Sequence, residues 1–538
     1  MVNNKKNIIF IGFSSLIVIY RYFWSTISQW REDQATNVWL ALTESIQSTP
    51  VGLLSSKDIP VTNGMIIFAK IFNFIDNLLI ATLLFSIFQI FCFYLLVSLL
   101  AINENKKFSL LVLLSVSTLL SSSSVEFWNQ WIFILFNCLF FYFYLLFLKS
   151  KEAFYLLVML LISTLPAAFH LSGILNTTVM GIIIFYEFLS VKEKNSTKNS
   201  ILKYSVLGFL TLVYSYFVWF KYFKFVSLSK ILSFTDLTVY DRVNILSDKF
   251  LEIPGLFLTA WTKQGSFYIL QVNRDIVSNL TFNLFKVYVE SHKLITVLFL
   301  FSLSLIFINK KTNFEPVVLR FITALVFFIS FCSLVSPALG GPDFTDFQRM
   351  DTYIQYYPLF IILWFLVIDE ASEIKIRYIN LKKTGLSIFL FSILLNLTLS
   401  IGIIYENLNY SGNKLTEADI PLVEKIDVTK YIADDMNKKQ IKTASMSYQL
   451  GGGIWDWIPD HSEVFSKWYP QYPYTIGRVY DYMLLNEYSI NNEYEGLNSR
   501  DFQNSDYIIS YIFNEAKLDS EENYTNILFN RLRLSIRK

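Results

Sequence analysis

Residues 77–99 read NLLIATLLFSIFQIFCFYLLVSL, an apolar run without one charged side chain. A run of this length matches the ~20 residues that a helix needs to cross the hydrocarbon core of a bilayer. Runs of the same kind recur on both sides of it, at 8–24, 108–120, 131–148, 153–169, 171–189, 204–220, 294–308, 317–335, 357–368 and 386–405. Together they make about eleven candidate spans, the shorter ones completed by flanking aromatic residues. The chain of 538 residues is 54% hydrophobic, 17% aromatic and only 16% charged, with a mean hydropathy of +0.43. That balance excludes an ordinary soluble domain and predicts an α-helical polytopic membrane protein.

The net charge of +2 says little as a total, but its placement is ordered. Short connections carry Lys5 and Lys6; Lys106 and Lys107; Lys149 and Lys151; Lys192, Lys194 and Lys198; Lys310 and Lys311; and Lys375, Arg377, Lys382 and Lys383. All fall on one side of the predicted bundle. By the positive-inside rule that side is cytoplasmic, as is the amino terminus, and an odd number of spans puts the carboxyl end outside. Lys5 and Lys6 followed by an apolar run resemble a signal peptide, but no small-residue cleavage site follows, so this run reads as a retained span. Cys92, Cys138 and Cys332 all lie in apolar runs, which leaves no role for disulfides. The Lys, Asn and Ile bias suits a low-GC bacterial genome, and the expected location is the bacterial inner membrane.

The bulk of the polar chain falls on the external side. It comprises loops at 25–76 and 221–293, a tight turn at 121–130, a loop at 336–356 and a tail at 406–538. Residues 1–405 therefore read as a membrane domain and 406–538 as a separate extracytoplasmic α/β domain, with a helix at 425–436 and strands at 442–448 and 507–511. The Gly451–Gly453 run lacks phosphate-loop spacing and reads as a turn. Trp468, Tyr469, Tyr472 and Tyr474 read as an aromatic docking surface.

The first external loop begins WREDQATNVWLALTESI at Trp30. Ala35, Val38, Trp39, Leu42 and Ile46 recur on one helical face, so the spacing predicts a helix lying on the bilayer with Trp39 and Leu42 down. Glu32 and Asp33 stand at its start. Other charges recur at the same height: Glu126 in SSSSVEFWNQW, and Arg349 in DFTDFQRMDTYIQYYP with Tyr353, Tyr356 and Tyr357 behind it. Each alone fits an ordinary interfacial charge. Their common depth suits a donor anchored in the membrane. A sugar on a polyprenyl phosphate presents its anomeric carbon at headgroup height. Transfer needs a base for the acceptor hydroxyl, which a carboxylate supplies, and a cation for the departing phosphate, which suits the arginine fork.

On these residues the chain resembles the GT-C superfamily of integral-membrane glycosyltransferases. The resemblance rests on the first-loop acids in EDQAT, the GLLSSKDIP segment, Glu126, HLSG at His170–Gly173, RMDTYIQYYP and the external tail. It implies Asp33 as catalytic base with Glu32 and Glu126 beside it. It also implies Arg349 on the donor phosphate, with His170, Tyr353 and Tyr356 lining the phosphate and lipid. The expected partners are a polyprenyl-phosphate-linked sugar, membrane lipid and a glycan, lipid or protein acceptor of the cell envelope; nucleic acid is not among them. No cofactor is certain. The second loop lacks D-x-D and the first has Glu-Asp rather than Asp-Glu, so a divalent metal stays open. His170, His292 and His461 form no zinc pattern, and His292 falls at a predicted span edge.

An O-antigen or polysaccharide polymerase or ligase is the first alternative; it would lean on basic external residues. A lipid-linked glycan transporter or flippase is the second. No charged residue falls near the middle of a predicted span, where ion relays belong, and no matched pair of broken helices is apparent.

Overall fold

The structure is a computed structural model, and it describes residues 2–30, 32–43, 63–125, 131–170, 173–190, 213, 277–308, 355–372, 381–410, 420–449, 478–494, 505–511 and 523–538. The expected spans at 204–220 and 317–335 lie outside these residues, apart from Val213.

Each remaining apolar run is helical. The helices are α1 (Val2–Thr26), α4 (Leu78–Ser98), α5 (Glu104–Val116) with α6 (Thr118–Val125), α7 (Phe133–Ser150), α8 (Ala153–Phe169), α9 (Gly173–Ser190), α10 (Asn279–Ile308), α11 (Tyr357–Ala371) and α12 (Leu381–Asn409). Among the described residues, α4, α7, α10 and α12 are each long and apolar enough to cross a membrane, and the α5–α6 pair makes a fifth. Between α1 and α4 lie α2 (Glu32–Thr43), α3 (Gly64–Ala69) and a short 3-10 turn at Phe72–Phe74.

Where α8 gives way to α9, a Cβ on Gly173 would collide with the Pro166 carbonyl. A Cβ on Gly64 would likewise strike the Ala168 carbonyl, so glycine lets α3 lie against the end of α8.

The expected span 108–120 is not one straight helix. It bends by 56° at Ser117. The sequence there, VSTLLSSSS, is rich in side chains that compete for backbone hydrogen bonds. Ser121 Oγ bonds the Ser117 carbonyl at 2.7 Å and Ser124 Oγ the Ser121 carbonyl at 2.8 Å. Asn396 of α12 caps the second half, its Oδ1 accepting the Thr118 N–H at 2.8 Å. Helix α10 also differs from expectation. It begins at Asn279, so the last part of the predicted 221–293 loop belongs to the helix.

Residues 420–538 form an α/β unit. Helix α13 (Leu422–Lys439) precedes β1 (Thr443–Gln449), and α14 (Arg478–Tyr488) precedes β2 (Asn491–Tyr494). Strands β3 (Tyr507–Tyr511), β4 (Tyr524–Leu528) and β5 (Leu532–Arg537) complete a five-stranded sheet in the order β2-β1-β3-β5-β4. Strands β1, β2 and β3 are parallel, with Met446 opposite Tyr507, while β5 runs antiparallel to both β3 and β4. The expected helix lies inside α13, the expected strand 507–511 coincides with β3, and the expected strand 442–448 is offset by one residue from β1. Val428, Ile432 and Met436 of α13 are buried on one face, at helical spacing.

Candidate functional site

The α/β unit docks on one end of the helical bundle, and it does so by completing helix ends. A helix leaves its first N–H and last C=O groups without intrahelical partners. Arg531, at the tip of the β4–β5 hairpin, donates from Nε to the Tyr410 carbonyl at 3.1 Å and from Nη2 to the Asn407 carbonyl, at the C-terminal end of α12. A cation there also matches the helix dipole. Glu424 stands 3.4 Å from Arg531 Nε and accepts from Asn530 Nδ2 at 3.1 Å. Burial raises the Glu424 carboxyl above its ordinary range, outweighing the opposing pull of Arg531.

At the N-terminus of α4, Glu487 Oε1 accepts the Leu78 N–H at 2.8 Å. Asn486 Nδ2 donates to the Ile75 carbonyl at 3.2 Å. Burial pushes Glu487 up to about 7; the Leu78 N–H works against that shift and Asp76 adds to it. After α1, the Leu422 N–H bonds the Ser28 carbonyl at 2.8 Å. Lys425, fully buried, donates to the carbonyls of Gln29 and Trp30, the latter at 3.2 Å.

Helix α2 lies inside this junction. It packs against α14 on one side and α3 on another. Residues Gln34 to Ala41 are all buried, polar Gln34, Thr36 and Asn37 as completely as Val38 and Leu40. The expectation of a helix lying on the bilayer is therefore corrected. Trp39 and Leu42 do mark an apolar face, but the polar face is covered as well, because the α/β unit closes over it. The chain enters α2 through Trp30, whose φ of 42° is left-handed. For a bulky L-residue such a conformation costs on the order of 1–3 kcal/mol and persists only where surroundings impose it. Here Trp30 Nε1 donates to Thr82 Oγ1 at 3.2 Å, and the ring meets Phe72 edge-on.

The expected site residues are distributed as follows. Glu32 and Asp33 are the first two residues of α2; their side chains, and all of Glu126, Arg349 and Tyr353, lie outside the described residues. His170 ends α8. Its N–H donates to the Pro166 carbonyl at 3.2 Å and its own carbonyl accepts the Gly173 N–H at 2.9 Å, so His170 hydrogen-bonds to both helices. Tyr356 is buried immediately before α11. Its neighbour Gln355 ties this segment to the bundle, the Gln355 carbonyl accepting from Asn137 of α7 at 2.9 Å and Oε1 from Asn176 of α9. The start of α2, His170 and Tyr356 thus share the end of the bundle that the α/β unit covers.

Several ionisable groups inside the bundle escaped the sequence reading, Arg21 and His292 among them. Arg21 of α1 is fully buried at the bend between α5 and α6. It donates to the Ser115 carbonyl at 2.9 Å, the Leu120 carbonyl at 3.3 Å, Ser124 Oγ at 2.5 Å and Ser86 Oγ at 3.3 Å. Every partner it has among the described residues is neutral. The Ser115 carbonyl is one that the bend frees. The visible signal was an arginine inside the apolar run 8–24.

His292, expected at a span edge, stands in mid-helix because α10 starts at Asn279. Its Nδ1 faces the Tyr288 carbonyl at 2.8 Å and its Nε2 the Tyr357 hydroxyl at 2.6 Å. A carbonyl only accepts, so Nδ1 carries the hydrogen and Nε2 accepts from Tyr357. Both line a small recess with Ser117, Trp364, Ser392 and Asn396.

No protein-family model matches the chain, and no curated protein is significantly similar to it.

Proposed function

We propose that the chain is an integral-membrane glycosyltransferase of the GT-C kind. It moves a sugar from a polyprenyl-phosphate donor to a glycan, lipid or protein acceptor on the external face of a bacterial inner membrane. In this reading the chain has about eleven spans, a cytoplasmic amino terminus and an external α/β unit. The observation that carries it is the burial of α2. A helix that opens with Glu32 and Asp33 is enclosed between the bundle and the α/β unit, at the end where His170 and Tyr356 also lie. A base acting on a lipid-held donor needs such a place, at helix-end height and shielded from bulk water.

Asp33 takes the proton of the acceptor hydroxyl as its oxygen attacks the anomeric carbon. The bond from that carbon to the phosphate oxygen breaks, the polyprenyl phosphate leaves, and the new linkage has inverted configuration. A carboxylate of ordinary pKa near 4 is ionised at neutral pH and gains the proton late, as attack makes the hydroxyl acidic. Glu32 and Glu126 are the neighbouring acids. Arg349, with Tyr353, Tyr356 and His170, receives the phosphate.

Protein reconstituted in nanodiscs and supplied with polyprenyl-phosphate sugars tests this. Asp33→Asn should lower turnover by about 100-fold or more, with melting unchanged. Wild-type turnover in Asp33→Asn, Glu32→Gln and Glu126→Gln alike would reject the mechanism.

Arg21 and His292 favour a second reading, a transporter of lipid-linked glycans, since ionisable groups buried among membrane helices are where ion and proton relays are built. Flux of a labelled lipid-linked sugar across proteoliposomes, without any transfer product, would select it.

A further inference from the structure

The α/β unit grips the chain immediately ahead of α2, at Ser28, Gln29 and Trp30, and the grip centres on one buried lysine. We propose that Lys425 is a positioning residue: by holding the Gln29 and Trp30 carbonyls, it imposes the left-handed elbow from which α2 and its opening acids project. The inference deepens the glycosyltransferase reading and assigns the α/β unit a part in that site.

Three features carry it. First, Trp30 adopts φ 42°, a conformation its large side chain does not favour, so an outside restraint must hold it. Second, the restraints are visible, and they come from distant parts of the chain. Lys425 Nζ bonds the Gln29 and Trp30 carbonyls, the Leu422 N–H bonds the Ser28 carbonyl, and Thr82 holds the indole. Third, only Arg31 separates the elbow from the start of α2, so a rotation at Trp30 swings the helix start directly. An apolar residue would fill the volume of Lys425 but leave buried carbonyls without these donors, a costly state. A small misplacement of a base can cost about 100-fold in rate, which is why an elbow of this kind matters to catalysis.

Hydrogen exchange of the full-length protein in nanodiscs tests the positioning without needing turnover. Lys425→Met should speed amide exchange across 32–43 by about tenfold or more, while 443–449 and 505–511 keep their protection. Lys425→Arg, which keeps charge and donors, should stay within about threefold of the wild type. If wild-type turnover is found with a polyprenyl-phosphate sugar, Lys425→Met should lower kcat about tenfold or more, leave KM within about twofold and be largely rescued in Lys425→Arg. Unchanged exchange across 32–43 in a folded Lys425→Met protein overturns the proposal. So does loss of protection spread evenly over α2 and the sheet. Should Lys425→Met fail to fold, Lys425→Gln, which keeps a donor without the charge, takes its place under the same criteria. A protein that transfers no sugar at all overturns the glycosyltransferase reading but leaves the exchange result to decide the elbow.

Discussion

The two ends of the bundle meet the same physical problem in different ways. Helix ends carry backbone groups without intrahelical partners, and something must satisfy them. At one end the partners are lysines in the terminal turns of α5 and α7. Lys107 donates to the Ser98 carbonyl at 3.0 Å, Lys149 to the Leu99 carbonyl at 2.8 Å, and Lys106 pairs with Asp369 at 2.6 Å. The paired Lys106 and Asp369 side chains are 34% and 26% exposed, so water shares the work. At the other end the partners come from the α/β unit and are buried: Arg531 on α12, Glu487 on α4 and Lys425 ahead of α2. Helix α4 also has a local cap at that end, Asn77 Oδ1 accepting the Ile80 N–H at 2.9 Å, and Glu406 of α12 accepts the Ser278 N–H at 2.8 Å ahead of α10. The contrast teaches that the lysine end is locally self-sufficient, whereas the covered end is complete only when a distant part of the chain returns to it.

Arg531→Met should break this contrast most severely. It leaves Glu424 buried without its cation and frees the carbonyls at the end of α12. Removing one partner of a buried pair costs roughly 3–5 kcal/mol. Melting followed by protease cleavage between α12 and α13 should show the α/β unit released well below the wild-type temperature; an unchanged cleavage profile would mean the hairpin tip contributes nothing to docking.

A smaller effect should come from pH. The docked Glu487 carboxyl holds its proton to about pH 7, whereas its ordinary value is 4.5. Its contribution to docking is therefore complete below 4.5 and is lost as pH rises through about 7. Glu487→Gln keeps an acceptor for the Leu78 N–H and cannot ionise, so it should flatten the dependence of docking on pH between about 5 and 8. The same slope in both proteins would assign the pH response to another group.

The smallest change belongs to the lysine end. Lys106→Ala removes a partly exposed pair, worth about 0–1 kcal/mol after solvent screening. Its melting temperature should differ little from the wild type. A loss comparable with that of Arg531→Met would erase the distinction between the two ends.

Among the described residues, the amino-acid sequence by itself determined where the apolar helices lie, because an apolar run is a local property read from neighbouring residues. Helix α8 occupies the whole of the predicted 153–169, and β3 the whole of 507–511, for the same reason. The helical phase of Ala35, Val38 and Trp39 was equally legible, and so was the helix they form. What covers that helix was not, because burial of its polar face depends on α14, which follows several hundred positions later. The bend at Ser117 required Asn396, and the elbow at Trp30 required Lys425, 395 positions away. The setting of His292 required Tyr357 to arrive opposite it. Periodicity records which face of a segment is apolar, but partners at this separation meet only once loops have closed and domains have docked. The tertiary structure alone therefore decided that the first-loop helix is enclosed, that Arg21 and His292 lie inside the bundle, and that the α/β unit completes the end where the proposed chemistry would take place.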